Sequence, residues 1–133
     1  MHYGYIGQGN LGANCAACLL RAGMDVTVTD ISKDAAAKAI AEGASWANSP
    51  AELAAKVDHV ITCLPSPAVS EAVSAEMLPM MREGAHWIEM STLGREEVLA
   101  FEKTAATHNV RMMELPVTGG VILAAQGNIT MLA

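Results

Sequence analysis

Apolar and polar positions along the chain follow two alternating periods. Short apolar runs that stop at glycine, aspartate or proline predict strands at residues 3–6, 26–30, 44–47, 59–64, 87–90 and 110–115. Between them, apolar residues recur every three or four positions, which predicts helices at residues 10–22, 33–42, 68–76, 80–83 and 95–108. The chain therefore alternates strand and helix from one end to the other.

Residues suited to helix caps mark two further boundaries. Ser32 is expected to cap helix 33–42. Ser49 is expected to cap another helix, with Pro50 in its first turn and Glu52 completing a capping box. After residue 115, a glycine-bearing loop is expected to lead to a last strand at residues 129–132.

Strands that alternate with helices of about 10–15 residues are typical of parallel crossover units. We therefore expect an α/β fold: a Rossmann-like, doubly wound, mostly parallel sheet with helices on both faces, in three layers. No linker, repeat or low-complexity segment interrupts the pattern, so residues 1–133 are predicted to form one domain.

Composition narrows the function classes. A hydrophobic fraction of 52% with 17% charged residues is typical of a globular protein. No apolar run approaches the roughly 20 residues that span a bilayer, and no signal peptide is recognisable, so we expect no membrane partner and a cytoplasmic protein. A net charge of −6 with 4% aromatic residues disfavours a nucleic-acid partner.

Cys15 and Cys18 form a C-x-x-C pair that is open to two interpretations. A structural zinc site needs two more ligands at short spacing, and none follows. Both residues lie in the predicted helix 10–22 among alanines, which favours packing over redox chemistry. We therefore expect no metal, and both thiols reduced and buried.

A glycine-rich motif occupies residues 7–12 (GQGNLG) and matches G-x-G-x-x-G. It directly follows the first predicted strand and opens the first helix, which is the context of a dinucleotide-binding turn. Gly7 permits the tight turn, Gly9 lets the backbone approach a pyrophosphate, and Gly12 lets helix and strand pack closely. The free N–H groups at the helix start favour an anion.

Asp30 ends the second predicted strand, eighteen positions after Gly12. A carboxylate at this place accepts hydrogen bonds from the ribose hydroxyls of NAD and repels the additional phosphate of NADP. The competing interpretation is an aspartate that merely starts a turn toward Ser32. With the glycine motif already in place, NAD binding is the favoured interpretation.

Ligands of parallel sheets bind beyond the carboxyl ends of the strands. Three more strand ends are expected at the same edge as the glycine motif, at residues 64–67, 89–92 and 115–120. Together with the glycine motif they resemble the β-hydroxyacid dehydrogenases, the family of 3-hydroxyisobutyrate dehydrogenases, tartronate semialdehyde reductases and, more distantly, 6-phosphogluconate dehydrogenases. Residues 4–12 (GYIGQGNLG) resemble its G-[FY]-I-G-L-G-x-M-G, 63–65 (CLP) its M-L-P, 90–92 (MST) its D-x-S-T, and 115–120 (LPVTGG) its A-P-V-S-G-G.

The resemblance implies a role for each matching position. The implied cofactor-binding residues are Gly7, Gly9, Asn10, Leu11, Gly12, Asp30, Leu64, Pro65 and Thr92. Among them, Leu11 and Gly12 would contact the pyrophosphate, and Thr92 would lie by the nicotinamide. The substrate carboxylate of a small hydroxyacid would be held by Thr118, Gly119 and Gly120.

Several positions depart from the family pattern. Thr118 stands where serine is usual, Leu115 where a small residue is usual, and Glu89 where aspartate is usual. Residues 122–123 (IL) replace a common glycine-alanine pair, so the substrate loop is expected to differ in shape.

The family's catalytic lysine lies on a helix of a second, all-helical domain, and these 133 residues contain no match to its motif. The lysines present are Lys33, Lys38, Lys56 and Lys103, and solvated helix surface is the expected place of all four. We expect these residues alone to lack the general acid-base group.

Three function classes compete for this pattern. The favoured one is the NAD-binding domain of an oxidoreductase that moves a hydride between nicotinamide and a β-hydroxyacid. A non-catalytic dinucleotide-sensing module is the alternative. A methyltransferase is disfavoured by the complete glycine motif and by residues 116–120 (PVTGG). Association into a homo-oligomer is expected, because without the helical domain an apolar sheet edge would be exposed.

Overall fold

The computed structural model describes residues 1–133, and six strands form its main sheet, which is parallel throughout. In chain order they are β1 (His2–Ile6), β2 (Asp25–Thr29), β3 (Ser45–Trp46), β4 (His59–Thr62), β5 (His86–Glu89) and β6 (Arg111–Glu114). Their order in the sheet is β3-β2-β1-β4-β5-β6. This is the order of the doubly wound dinucleotide-binding fold, which reverses direction between β1 and β4. The expected Rossmann-like sheet is confirmed.

The helices are α1 (Asn10–Arg21), α2 (Ala37–Ala41), α3 (Pro50–Lys56), α4 (Pro67–Met77), α5 (Arg95–Thr107) and α6 (Gly120–Gln126). The sheet separates two apolar clusters, because successive side chains of a strand point to opposite faces. On β1, Tyr5 packs into one cluster and Ile6 into the other. On β4, Val60 and Ile61 divide in the same way. The sheet is therefore the middle of three layers.

The two clusters differ in the size of their side chains. One contains the large buried residues Leu53, Met77 and Trp87, and the Trp87 ring lies 5.7 Å from that of Phe101. Fully burying such a side chain stabilises the fold by about 1.5–3 kcal/mol. The other cluster lies under α1, whose buried side chains are mostly small, such as Ala16. Small residues allow α1 to pack close to the sheet, and that fixes the glycine-rich turn at its start.

The segment after β6 differs from the sequence prediction. The expected glycine-bearing loop contains the helix α6, which ends at Gln126 and is followed by Gly127 as its C-cap, with a φ of 74°. The expected last strand is present only as β8 (Thr130–Met131), which pairs antiparallel with β7 (Val117–Thr118) outside the main sheet. The apolar run at residues 121–125 favours a helix packed on α1, and the two glycines before it obscured that signal in the sequence.

The prediction of a helix at residues 80–83 is also wrong. After α4 the chain continues as a single 3₁₀ turn, Leu78–Met80, and then leaves helical structure. Pro79 cannot donate a hydrogen bond to the preceding turn, so an α-helix is unfavourable around it. Gly84, with a φ of 79°, then turns the chain into β5.

The two predicted helix caps have different outcomes. The hydroxyl of Ser32 caps nothing, and helix 33–42 divides into a 3₁₀ turn followed by α2. The hydroxyl of Ser49 does cap α3, accepting from the Glu52 N–H at 3.0 Å. Glu52 Oε2 accepts from the N–H of Asn48 at 2.9 Å rather than from that of Ser49, so only half of the capping box forms.

The three cysteines are free, and Cys15 and Cys18 lie in different surroundings. Cys15 is buried, as expected, and burial raises the pKa of its thiol. Cys18 is only half-buried, which corrects the expectation for this residue; its Sγ lies 3.1 Å from the Ala124 carbonyl oxygen on α6 and 3.0 Å from the Arg21 guanidinium. Both residues serve packing, and Cys18 does so at the contact between α1 and α6.

This difference predicts the order in which the thiols react. A maleimide should label Cys18 first, because Cys15 is buried and because burial raises the pKa of Cys63 to about 11. Mass spectrometry of the folded chain during labelling checks this. Cys18→Ser should remove the fast phase, whereas Cys15→Ser should leave it. A fast phase that persists in Cys18→Ser would contradict the assignment.

Candidate functional site

A cleft of about 760 Å³ opens at the carboxyl ends of β1, β2, β3 and β4. Its volume lies within the range of small-molecule and cofactor sites, roughly 300–1,000 Å³. Its position is the point where the strand order reverses, which is where open parallel sheets bind ligands. No helix of the structure combines the length and the hydropathy needed to cross a membrane.

Eight of the twelve residues singled out in the sequence line this cleft: Gly7, Gly9, Asn10, Leu11, Gly12, Asp30, Leu64 and Pro65. The other four, Thr92, Thr118, Gly119 and Gly120, are exposed and lie outside it. The structure therefore brings together the positions expected to bind the cofactor, apart from Thr92. It keeps the positions expected to bind the substrate outside the cleft.

The three glycines of the motif differ in whether the fold itself requires them. Gly7 has a φ of 96°, and a Cβ there would overlap the carbonyl group of Cys63. A Cβ at Gly12 would overlap the carbonyl group of Gly7, so this position must be glycine for α1 to start against β1. A Cβ at Gly9 would meet no atom within 4 Å. Gly7 and Gly12 are required by the fold, whereas Gly9 leaves open space on the cleft wall.

The start of α1 faces the same cleft. Gly9 is its N-cap residue, no side chain caps the helix, and no acidic residue occupies its first turn. The first N–H groups of a helix have no partner inside the helix, and the helix dipole makes this end positive. These features fit a diphosphate group, and Gly9 leaves room for its close approach.

Asp30 connects the end of β2 to the glycine-rich turn. Its Oδ2 accepts a hydrogen bond from the Gln8 N–H at 2.7 Å, and its Oδ1 accepts one from the Ser32 N–H at 2.9 Å. Each carboxylate oxygen has a second lone pair, so the group can still accept hydrogen bonds from a ribose. Sequence reasoning did not foresee the bond to Gln8, which makes Asp30 part of the turn as well as of the cleft wall.

The opposite wall of the cleft was missed in the sequence. It includes Asn48 and Pro50, which follow β3, and Val69 and Val73 of α4. Ile31, which is fully exposed beside Asp30, adds a further apolar surface. The rule of carboxyl strand ends applies to β3 as well, but Ser49 and Pro50 were interpreted only as a helix start. These side chains offer a mainly apolar surface to a flat ring.

The predicted substrate-binding residues surround the start of α6. Thr118 pairs with Thr130 between β7 and β8. Gly119 and Gly120 have φ values of 117° and 71°, a region that favours glycine. The segment begins at Leu115, at the same sheet edge as the cleft.

A buried carboxyl group lies behind the cleft. Glu89, the last residue of β5, is fully buried, and its Oε1 accepts from the Ser91 N–H at 2.8 Å. The Ser91 hydroxyl accepts in turn from the Leu64 N–H at 2.7 Å. Burial raises the pKa of Glu89, and hydrogen bonding with Ser91 lowers it in part. Sequence reasoning noted Glu89 only as a departure from the family's aspartate.

Comparison with known proteins agrees with the geometry of the cleft. Residues 2–133 match the family described as the NAD binding domain of 6-phosphogluconate dehydrogenase. The chain is 37% identical over 128 residues to the mitochondrial 3-hydroxyisobutyrate dehydrogenase of Drosophila melanogaster, covering 96% of this chain and 40% of that protein. A probable 3-hydroxyisobutyrate dehydrogenase of Mycobacterium bovis is 32% identical, covering 94% of this chain and 42% of that protein. The chain thus spans about 40% of the length of these curated relatives.

Solved structures give the same result. The 3-hydroxyisobutyrate dehydrogenase of Mycobacterium tuberculosis with L-serine superposes with a TM-score of 0.94 at 31% identity, over 98% of this chain and 45% of that one. Psf3 in complex with NADP+ and 2-OPP superposes with a TM-score of 0.88 at 27% identity, over 97% of this chain and 47% of that one. The match to the family extends over almost the whole chain. In this chain the glycine turn and Asp30 line one cleft at the same edge of the sheet. The chain belongs to the family of NAD-binding domains of 6-phosphogluconate dehydrogenase and the related 3-hydroxyisobutyrate dehydrogenases.

Proposed function

We propose that residues 1–133 form one domain that binds NAD(H) in the cleft, and that the whole protein oxidises or reduces a small β-hydroxyacid. The observation that carries the proposal is the meeting of three features in one cleft: the open space at Gly9, the uncapped start of α1, and the Asp30 carboxylate. The first two fit the diphosphate of a dinucleotide, and the third fits its adenosine ribose.

The proposed contacts follow the cleft from one end to the other. The backbone at Leu11 and Gly12 binds the pyrophosphate, and Asp30 accepts hydrogen bonds from the adenosine ribose. Ile31 and Pro50 pack against the adenine. Asn10 lies at the start of α1 beside these contacts.

The other half of the cofactor extends past β4. Leu64 and Pro65 line its path, and Thr92, after β5, lies by the nicotinamide. Bound nicotinamide supplies or accepts the hydride, and the protein positions the two reactants.

Thr118, Gly119 and Gly120 are proposed to hold the substrate carboxylate through a hydroxyl and backbone N–H groups. The positive φ values of the two glycines support a turn whose N–H groups converge, as in anion-binding concavities. L-serine, present with the Mycobacterium tuberculosis relative, carries both a carboxylate and a β-hydroxyl. We propose the same substrate class here.

An assay of NAD+ reduction distinguishes cofactor binding from catalysis. We expect the purified 133-residue chain to bind NADH but to reduce no NAD+ with 3-hydroxyisobutyrate, glycerate or L-serine. None of Lys33, Lys38, Lys56 and Lys103 lines the cleft, and a missing general acid-base group typically costs about 10²–10⁴-fold in rate.

Absorbance of NADH at saturating NAD+ measures this, with the full-length Drosophila relative as the positive control. Steady turnover by the 133-residue chain would contradict the assignment, because the acid-base group would then lie within it. A longer form of this protein that binds NADH without turnover would favour the alternative of a non-catalytic sensing module.

Two further expectations complete the proposal. We propose that copies of the protein associate, which the exposed apolar side chains of Ile122, Met131 and Leu132 support. A cytoplasmic location stays a prediction, and the names of several relatives place those proteins in mitochondria.

A further inference from the structure

We propose that Glu89 is a positioning residue of the cofactor site: its carboxyl group holds Ser91, and Ser91 holds the backbone of Leu64 at the cleft wall. The inference rests on the proposed function, because it concerns how the same cleft keeps its shape. Glu89 itself lies behind the wall and is not among the residues that line the cleft.

Two consecutive hydrogen bonds carry the effect from the sheet to the cleft. Glu89 Oε1 accepts from the Ser91 N–H at 2.8 Å, and the Ser91 hydroxyl accepts from the Leu64 N–H at 2.7 Å. Glu89 and Ser91 are both buried, which limits competition from water for these bonds. Leu64 lies beyond the end of β4, where no strand partner fixes its N–H. Ser91 therefore takes the place of a ladder bond at the point where the chain enters the cleft.

The backbone of Glu89 connects a third segment to the same point. Its carbonyl oxygen accepts from the Leu115 N–H at 2.8 Å, at the start of the proposed substrate-binding segment. Ser91 directly precedes Thr92, which is proposed to lie by the nicotinamide. Glu89 thus connects the segments that follow β4, β5 and β6.

The chemistry of this position is unfavourable for stability alone. Burying a carboxyl group costs free energy, and here no cation pairs with it. Glu89 Oε2 and the buried Ser70 hydroxyl oxygen both lack a hydrogen-bond partner. An apolar side chain of similar volume would fill the space at lower cost. Such a side chain would not accept the hydrogen bond from the Ser91 N–H, and Leu64 would then lose its fixed position.

Four variants test the proposal through the dissociation constant for NADH. Glu89→Leu removes the acceptor and should weaken binding by about tenfold, the effect of losing one buried hydrogen bond. Glu89→Gln keeps an acceptor oxygen and the side-chain shape, and should remain within about twofold of the wild type. Ser91→Ala should weaken binding as much as Glu89→Leu. The double variant should be no weaker than either single one, because both changes break the same chain of bonds.

A matched control separates positioning from general destabilisation. Thr27→Val removes a buried hydroxyl on β2 that forms a hydrogen bond with the His2 ring, at 2.8 Å, away from the cleft. It should lower thermal stability without changing the affinity for NADH. If Glu89→Leu does not fold, the comparison of Ser91→Ala with Glu89→Gln decides instead.

The outcomes distinguish this inference from the proposed function. A wild-type chain that does not bind NADH would overturn the proposed function. A wild-type chain that binds NADH, with Ser91→Ala binding equally well or Glu89→Gln losing as much affinity as Ser91→Ala, would overturn the role of Glu89 alone.

Discussion

Replacing Gly9 by alanine should reduce NADH binding by at least about 100-fold, or about 2.7 kcal/mol, while the chain still folds. The reason is that the added Cβ would meet no protein atom within 4 Å but would project where the diphosphate must approach the backbone. Gly9 has a φ of −64° and a ψ of −177°, which alanine adopts readily. The cost to the helix cap should stay within about 1 kcal/mol. Fluorescence titration with NADH and a thermal melt measure the two effects.

Two other glycines provide the controls. Gly94 is the N-cap residue of α5, and the atoms nearest to a Cβ there belong to the flexible carboxylate end of Glu97, which can move aside, so Gly94→Ala should leave NADH binding unchanged. Gly12→Ala should unfold the chain or shift α1, because its Cβ would overlap the Gly7 carbonyl. If Gly9→Ala bound NADH as well as the wild type does, the diphosphate would not lie at this turn.

NADH should bind at least about tenfold more tightly than NADPH, since the additional phosphate of NADPH would lie beside the Asp30 carboxylate. Two like charges in a partly buried place repel by more than about 1 kcal/mol. The nearest cation along the chain is Lys33, and its ammonium group lies over the Trp46 ring at 5.7 Å from its centre. In this position Lys33 packs on Trp46 rather than pairing with Asp30.

Asp30→Asn tests the charge while keeping one acceptor oxygen for the Gln8 N–H. We expect NADH to bind several-fold more weakly and the preference over NADPH to narrow to about threefold or less. Asp34→Asn removes an equal charge from an exposed position in the next turn and should leave the preference intact. Calorimetric titration with both cofactors measures the ratio. Equal affinities in the wild type, or an unchanged ratio in Asp30→Asn, would show that Asp30 does not select the cofactor.

The sheet and the cofactor turn were predictable because their signals are local. Short apolar runs, each bounded by a breaker, locate the strands, and the position of residues 7–12 between a strand and a helix identifies the turn. The errors at the helix caps have a common physical cause. The hydroxyl of Ser32 caps nothing while Asp30 accepts from the Ser32 N–H, and Glu52 accepts from Asn48 instead of Ser49. Competition between nearby polar groups decides such bonds, and a sequence pattern does not rank the competitors.

The rest of the site depends on contacts between distant segments. Helix α6 forms where residues 121–125 pack on α1, which lies near the other end of the chain. The hydrogen bond between the Gln8 N–H and Asp30, and the two bonds that connect Glu89 to Leu64, join residues at the ends of different strands. The family motif predicts that Thr118 and Gly119 bind the substrate, but it does not predict that Thr118 pairs with Thr130 in a separate two-stranded sheet outside the cofactor cleft.

A residue-resolved NMR titration of the 133-residue chain with NAD+ tests most directly whether the cleft is the dinucleotide site. We expect the amide signals of Gly7, Gly9 and Gly12 to shift together with those of Asp30 and Leu64. The amides of His59 and His86 begin β4 and β5 at the opposite edge of the sheet, so their signals should stay in place. Saturable shifts confined to the carboxyl edge would support the cleft as the binding site. Shifts confined to the opposite edge, or none at millimolar NAD+, would contradict it.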